Sequence, residues 1–273
     1  METGSRRSCS SPAAGRLQTG LRAAFFIVSL RWIVLPATNA QSAWEVTEWT
    51  TGARATFYGG SDASGTYGGA CGYGDIFAKG YGVQTTALSS ALFNNGYTCG
   101  ACFQLRCDSS NCYAGSSITV TATNYCPQGS FGGWCDSPQR HFDLSFPMFA
   151  SLAPTVVGVI PVQYRRVSCS RTGGVRFMIT GNPYWILVLI YNVAGQGDVR
   201  SADIEGTNTG WIQMNRNWGQ NWQSDGPKEL VGQTLSFRVS LGLGGQSKTF
   251  PAAAPASWQF GQTFEANGGL NFT

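Results

Sequence analysis

The sequence predicts a mainly β fold, stapled by cysteines in its first part and of sandwich size in its second. Three observations carry this. Charged residues are sparse at 12% of 273, while glycine reaches 36 residues and aromatics 13%. That balance suits a turn-rich β protein better than a helical one. Eight cysteines, Cys71, Cys99, Cys102, Cys107, Cys112, Cys126, Cys135 and Cys169, share one window, and none follows it. Strand-like runs broken by glycine and proline recur along the chain, with no repeat of fixed period.

Residues 1–40 read as a secretory leader. Basic residues precede an apolar run over residues 23–35, and Thr38-Asn39-Ala40 offers small residues for cleavage near Ala40. Arg31 interrupts the run, which falls short of the ~20 residues a spanning helix needs, so no transmembrane span is predicted. Cys9 belongs to this leader.

Residues 41–171 form a cysteine-rich first domain. Within it "ARATFYGG", "SITVTATNY" and "VIPVQYRRVSC" read as strands. Residues 86–93 and 145–152 predict short helices, the second with Ser145 as its cap and Pro147 in its first turn. Thr172-Gly173-Gly174 predicts a hinge, and residues 175–273 a second domain of a size that suits a β-sandwich. Its predicted strands are "VRFMIT", "YWILVLIYNV", "SADIEG", "WIQMNR", "LSFRVSLG" and "SWQFGQTF".

The formal charge of +4 comes from the leader, where five arginines face Glu2 alone; the rest of the chain has 13 basic and 13 acidic residues. Phosphate binding needs a basic surface, which argues against a nucleic-acid partner. Eight cysteines behind a leader read as a disulfide framework in an oxidising compartment. Zinc is the competing reading, because Cys99-Gly-Ala-Cys102 has C-x-x-C spacing. No second such pair follows and the single histidine lies far away, so no metal is predicted. Spacing alone leaves the pairing open.

The fragments "ATFYGGSDASG", "GGACGYGD", "ALFNNG", "CGACFQLRC", "HFDLS", "PVQYRRV", "GDV" and "RNWGQNWQS" occur in this order over residues 55–224. Together they resemble a plant expansin of the α type. The resemblance implies an N-terminal six-stranded double-psi β-barrel, related to family-45 glycoside hydrolases, followed by a C-terminal β-sandwich with a flat sugar-binding face. It implies a secreted monomer of the cell wall that needs no cofactor. Its partners would be cellulose and matrix glucans such as xyloglucan, whose noncovalent contacts it would disrupt without hydrolysis. The family's disulfides, placed here, pair Cys71 with Cys99, Cys102 with Cys169 and Cys107 with Cys112, which leaves Cys126 for Cys135. Three features depart from the family: "PQGSF" after Cys126 is shorter than usual, "LAPTVVG" replaces an aromatic-basic sequence, and the leader is unusually long.

Inverting glycoside hydrolysis needs two carboxylates, set ~6.5–9.5 Å apart around a water. Asp143 in "HFDLS" matches the acid of the related hydrolases, and Gly60 stands where their base would be. The competing reading of Asp143 is a charge at a helix start. Asp62, Asp75, Asp108 and Asp136 are the other acids in reach along the chain, and a turn role competes for Asp62. Ala122 takes a position where some relatives carry a second aspartate. His141 is the sole histidine, and no G-x-S-x-G elbow supplies a nucleophile for a triad, so it reads as a lining or bracing group. Thr56 and Tyr58 share a strand face and offer hydroxyls to sugar oxygens.

In the second domain Tyr184, Trp185, Trp211, Trp218 and Trp222 are candidates for stacking on polysaccharide. Trp218 and Trp222 share a face if their stretch is extended, and Gly219 is where a bulge would break that parity. Trp258 reads as core. Asn271-Phe272-Thr273 is an N-glycosylation sequon at the end of the chain. A weak endoglucanase and a purely binding pair of modules remain the alternative functions.

Overall fold

The structure, a computed structural model, describes residues 48–129, 133–224, 229–242 and 245–273. The expected leader and Cys9 lie outside these residues. No helix among the described residues is long and apolar enough to cross a membrane.

Six strands close the first part into a barrel: β1 Thr50–Tyr58, β2 Thr85–Leu88, β3 Cys102–Cys107, β4 Ser117–Tyr125, β5 His141–Ser145 and β6 Ile160–Val167, in the order β1-β5-β2-β4-β3-β6. β1 runs parallel to β5 and β2 parallel to β4, while the other neighbours are antiparallel. Alternation decides which faces turn inward. Phe103 and Leu105, Ile118 and Val120, Phe142 and Leu144 are buried together. At the centre Phe103, Phe142 and Tyr164 form an aromatic trio with ring centroids 5.0–6.1 Å apart. Gln104, Thr119 and Arg165, side by side in register, take the opposite face. Among the described residues four disulfides are present: Cys71–Cys99, Cys102–Cys169, Cys107–Cys112 and Cys126–Cys135.

Two helical expectations are corrected in detail. The helix expected over residues 86–93 is split. Its first part lies in β2, all four residues buried between β4 and β5, and the short helix α1 covers Ser90–Phe93 alone. Cross-strand pairing overrides local helix propensity there. The second, α2 Phe146–Ala150, carries Pro147 in its first turn as expected. Ser145 does not cap it, because its hydroxyl donates to the Val83 carbonyl instead.

The second part is one antiparallel eight-stranded sheet folded over its own core. Its strands are β7 Arg176–Asn182, β8 Trp185–Tyr191, β9 Val199–Gly206, β10 Ile212–Trp218, β11 Asn221–Ser224, β12 Leu235–Leu241, β13 Ser247–Ala254 and β14 Thr263–Glu265. The order is β13-β12-β9-β10-β11-β8-β7-β14. β10 is the corner: Ile212, Gln213 and Met214 pair with β9, and Asn215, Arg216 and Trp218 with β11. Strands far apart in the order thus meet face to face. Phe177 of β7 stacks on Phe237 of β12 at 4.1 Å, which defines the two layers of a sandwich. Of the expected strand "SWQFGQTF" only its last two residues enter β14. Trp258 lies in a turn before it, its ring in the core and its Nε1 donating to the Gln233 carbonyl.

The expected hinge is pinned. Asn192 Nδ2 donates to the carbonyls of Thr172 and Gly174, Glu265 accepts from Gly174 N, and Asn271 donates to the Gly173 carbonyl. Barrel and sheet also share a buried seam, where Tyr73, Ile76 and Tyr81 pack on Leu189 and Tyr191 from the outer side of β8. Arg166 of β6 pairs with Asp198 at 2.8 Å beside that seam. Arg216 donates to the carbonyls of Gly96, Gly219 and Val199.

Candidate functional site

The parallel pairing of β1 with β5 places Thr56 opposite Asp143 and Arg54 opposite His141. Thr56 Oγ1 lies 2.6 Å from Asp143 Oδ1 and 2.8 Å from His141 Nε2. One hydroxyl has one proton, and a carboxylate can only accept. The Thr56 proton therefore goes to Asp143, and His141 must carry its own proton on Nε2 and donate it to Thr56. A chain of two hydrogen bonds runs from imidazole to hydroxyl to carboxylate. His141 Nδ1 is then a bare lone pair, buried with no hydrogen-bond partner among the described residues.

This wiring suits a neutral histidine. His141 is 1% exposed. Burial, and secondly the nearby Arg54 cation, push its pKa down to about 4. Burial pushes the Asp143 carboxyl up, and the hydrogen bond from Thr56 works against that rise. Tyr58 is raised by burial too; Asn124 Nδ2 donates to its hydroxyl at 3.5 Å.

Thr56, His141 and Asp143 open on a cavity of about 480 Å³, also lined by Phe57, Trp134 and Val157. Asp143 is the only carboxylate among the described residues lining it. Gly60 sits in a turn, its N–H donating to the Ser64 carbonyl. Asp62 is exposed and accepts from Ser64 N at 2.9 Å, so it acts in that same turn. Asp75 accepts from Phe77 and Ala78 N–H, Asp108 from Gln163, and Asp136 from Gly129 N. Ala122 is fully buried in the barrel core.

Trp134 escaped the sequence reading. Its ring lies 4.1 Å from the Arg54 guanidinium carbon and walls the cavity. The signal was its place in "GGWC", beside a disulfide cysteine and in the same stretch as the acid. Asn124, two residues before Cys126, was missed for want of any local pattern.

On the sheet, Tyr184 is 71% and Trp218 48% exposed. Trp185 is half-buried, its ring over Gly181. Trp211 packs against Arg238, which pairs with Asp203, and so sits with the β9–β12 layer rather than beside Trp218. Trp222 is corrected: it is 3% exposed, in the sheet core and beside Arg216. Gly219 at φ +52° turns the chain, so Trp218 ends β10 while Trp222 lies on β11 and faces inward. Trp218 rests on Gly72 of the barrel, where any Cβ would strike its ring.

A closed six-strand barrel with Asp143 as the one carboxylate among the described residues lining its cleft, joined to a folded sheet bearing exposed aromatic rings, defines a two-part β protein. Residues 175–255 match the family model described as Expansin C-terminal domain, and residues 85–164 the model described as Lytic transglycolase. Expansin-A23 of Arabidopsis thaliana is 52% identical over 225 residues, spanning 81% of this chain and 80% of the relative. Putative expansin-A30 of Oryza sativa subsp. japonica is 47% identical over 247 residues, spanning 87% and 91%. The chain belongs to the expansin family. The crystal structure of Clavibacter michiganensis expansin shares the fold, with a TM-score of 0.59 at 18% identity over 80% of this chain and 96% of that one. A mutant of that bacterial protein was solved in complex with cellohexaose and matches with a TM-score of 0.58.

Proposed function

We propose that this expansin is a secreted wall-loosening protein that disrupts noncovalent contacts between cellulose and matrix glucans such as xyloglucan without cutting chains. One observation carries the reading: among the described residues lining the barrel cavity Asp143 is the only carboxylate, and by resemblance Gly60 stands where the related hydrolases would place their base. Both retaining and inverting hydrolysis use a pair of carboxyl groups. A lone acid braced by Thr56 can accept a sugar hydroxyl, or donate to one when protonated, but has no partner to activate water. The cellohexaose complex of the bacterial relative supports a glucan as the ligand.

In this reading the chain works in two grips. Thr56, Tyr58, His141 and Asp143 form the barrel grip, with Trp134 as its aromatic wall. Tyr184 and Trp218 form the sheet platform, with Trp185 beside them. Each ring covering ~100 Å² of sugar C–H surface supplies about 2.5 kcal/mol gross, which leaves weak net affinity after ordering costs. Weak, multipoint binding lets the protein exchange along a chain rather than lock on it. Residues 1–40 are the leader in this account, residues 41–171 and 175–273 the two domains, and the protein acts as a monomer in the wall.

The test is extension of heat-inactivated plant walls under constant load, with reducing ends measured in parallel. Extension without new reducing ends is expected. New reducing ends that vanish in Asp143→Asn would make it a weak endoglucanase instead. Folded protein that binds cellulose and gives no extension would make it a binding pair alone.

A further inference from the structure

The loop between β1 and β2 carries two aromatic rings with no part in the grips above. Tyr67 is 49% and Phe77 41% exposed, and their rings meet edge to face at 5.8 Å. Rings of this size are normally buried for the area they remove from water. Here each leaves a large part of its surface in solvent, on a loop tied down at many points. Gly68 N donates to the Gly74 carbonyl, Asp75 accepts from Phe77 N and Ala78 N, and the Cys71–Cys99 disulfide crosses the base. Tyr73 and Tyr81 pack at 4.6 Å beneath, and Lys79 lies 4.6 Å over the Tyr191 ring of β8. A pair held this way loses little freedom on binding.

The loop touches both grips. Ala70 N donates to Asn124 Oδ1 at 2.8 Å, and the same Asn124 donates to the hydroxyl of Tyr58, a group of the proposed barrel grip. Two residues on, Gly72 supports the Trp218 ring of the sheet platform. The loop's charges are engaged locally: Asp62 accepts from Ser64 N, Asp75 from Phe77 N and Ala78 N, and Lys79 lies on Met178 and Tyr191. What it offers outward beside them is two neutral aromatic rings set at 64° to each other, each face of which suits an uncharged pyranose better than an ionic ligand.

We propose that Tyr67 and Phe77 form a third stacking station for a neutral β-linked glucan, on the loop that joins the barrel groove to the Trp218 platform. The proposal rests on the glucan-binding reading above. A chain long enough to run from groove to platform would use it, and a short one seated at a single grip would not.

The experiment titrates the full chain with cellohexaose and measures its adsorption to cellulose. Tyr67→Ala/Phe77→Ala is expected to weaken cellohexaose binding about tenfold while keeping the native fold and melting temperature. Tyr67→Leu/Phe77→Leu keeps apolar bulk but lacks the flat rings and should show the same loss; wild-type binding in the leucine variant would mean the rings only hold the loop and would overturn the proposal. Unchanged binding in the alanine variant, with binding lost in Trp218→Ala, would also overturn it and leave the glucan-binding reading standing. No cellohexaose binding by folded wild type, or none lost in either Trp218→Ala or the alanine double variant, would overturn that reading and this proposal together.

Discussion

Thr56 Oγ1 donates to Asp143 Oδ1 at 2.6 Å across the parallel pairing of β1 with β5. The two residues are 87 positions apart, yet the hydroxyl sets how readily the acid ionises, because its hydrogen bond is made only to the charged or accepting oxygen.

Thr56→Val removes that bond with little change of shape. The Asp143 pKa should rise above its wild-type value, since burial then acts unopposed. The His141 Nε2 proton loses its acceptor too, a cost of about 1–3 kcal/mol in stability. Carboxyl-carbon NMR of labelled Asp143 reads the first effect and chemical denaturation the second. An unmoved Asp143 midpoint would show that Thr56 does not tune it.

His141 predicts a loss of stability in acid. The unfolded imidazole takes up its proton near pH 6.5, the folded one only near pH 4. Between those values the unfolded chain binds the extra proton, so stability falls as pH drops through the window, by about 3 kcal/mol in total. Asp143 acts in the opposite sense: its carboxyl is raised, so its protonation favours the folded chain as pH falls, offsetting part of the loss at the acid end. His141→Gln keeps a donor toward Thr56 and cannot titrate. Its melting temperature should be flatter than wild type between pH 6.5 and 4, and equal slopes would rule out His141 as the source.

The Arg166–Asp198 pair couples barrel to sheet, with side chains only 13% and 9% exposed. Removing one partner leaves a charge stranded in a dry seam. Asp198→Asn or Arg166→Met should each cost about 3–5 kcal/mol in urea unfolding, while replacing both together should cost much less than the sum. Additive losses would mean the two charges do not act as a pair.

Asn271 lies in a sequon, but its side chain is fully engaged. Nδ2 donates to the carbonyls of Gly173 and Asn192, and Oδ1 accepts from Ala194 N and Phe272 N, all at 2.8–2.9 Å. A glycan on Nδ2 is incompatible with these bonds. Intact mass of the protein expressed through a secretory pathway should show no N-glycan at Asn271, and Asn271→Ala should cost roughly 2–4 kcal/mol by stranding several backbone groups. A glycosylated Asn271 in folded protein would refute the assignment.

Much of the barrel was legible. "SITVTATNY" became β4 over its whole length, because alternating threonine and valine report a face that meets the core. The motif singled out Asp143, and the structure places it on the barrel cavity beside Thr56. β2 was not legible: "TALSSALF" has helical composition, and only insertion between β4 and β5 makes its start a strand. Trp222 was misplaced because spacing of four keeps a face only in an unbroken strand, and Gly219 breaks it.

By itself the sequence determined the mainly β class, the faces of unbroken strands such as β4, and the family, all properties that depend on local alternation or on residue identity. Tertiary structure alone decided which aromatic rings reach solvent, that the Thr172-Gly173-Gly174 link is pinned, and that Thr56 joins His141 to Asp143. Those facts hang on strand register and on contacts between residues tens of positions apart, which no local pattern in the chain encodes.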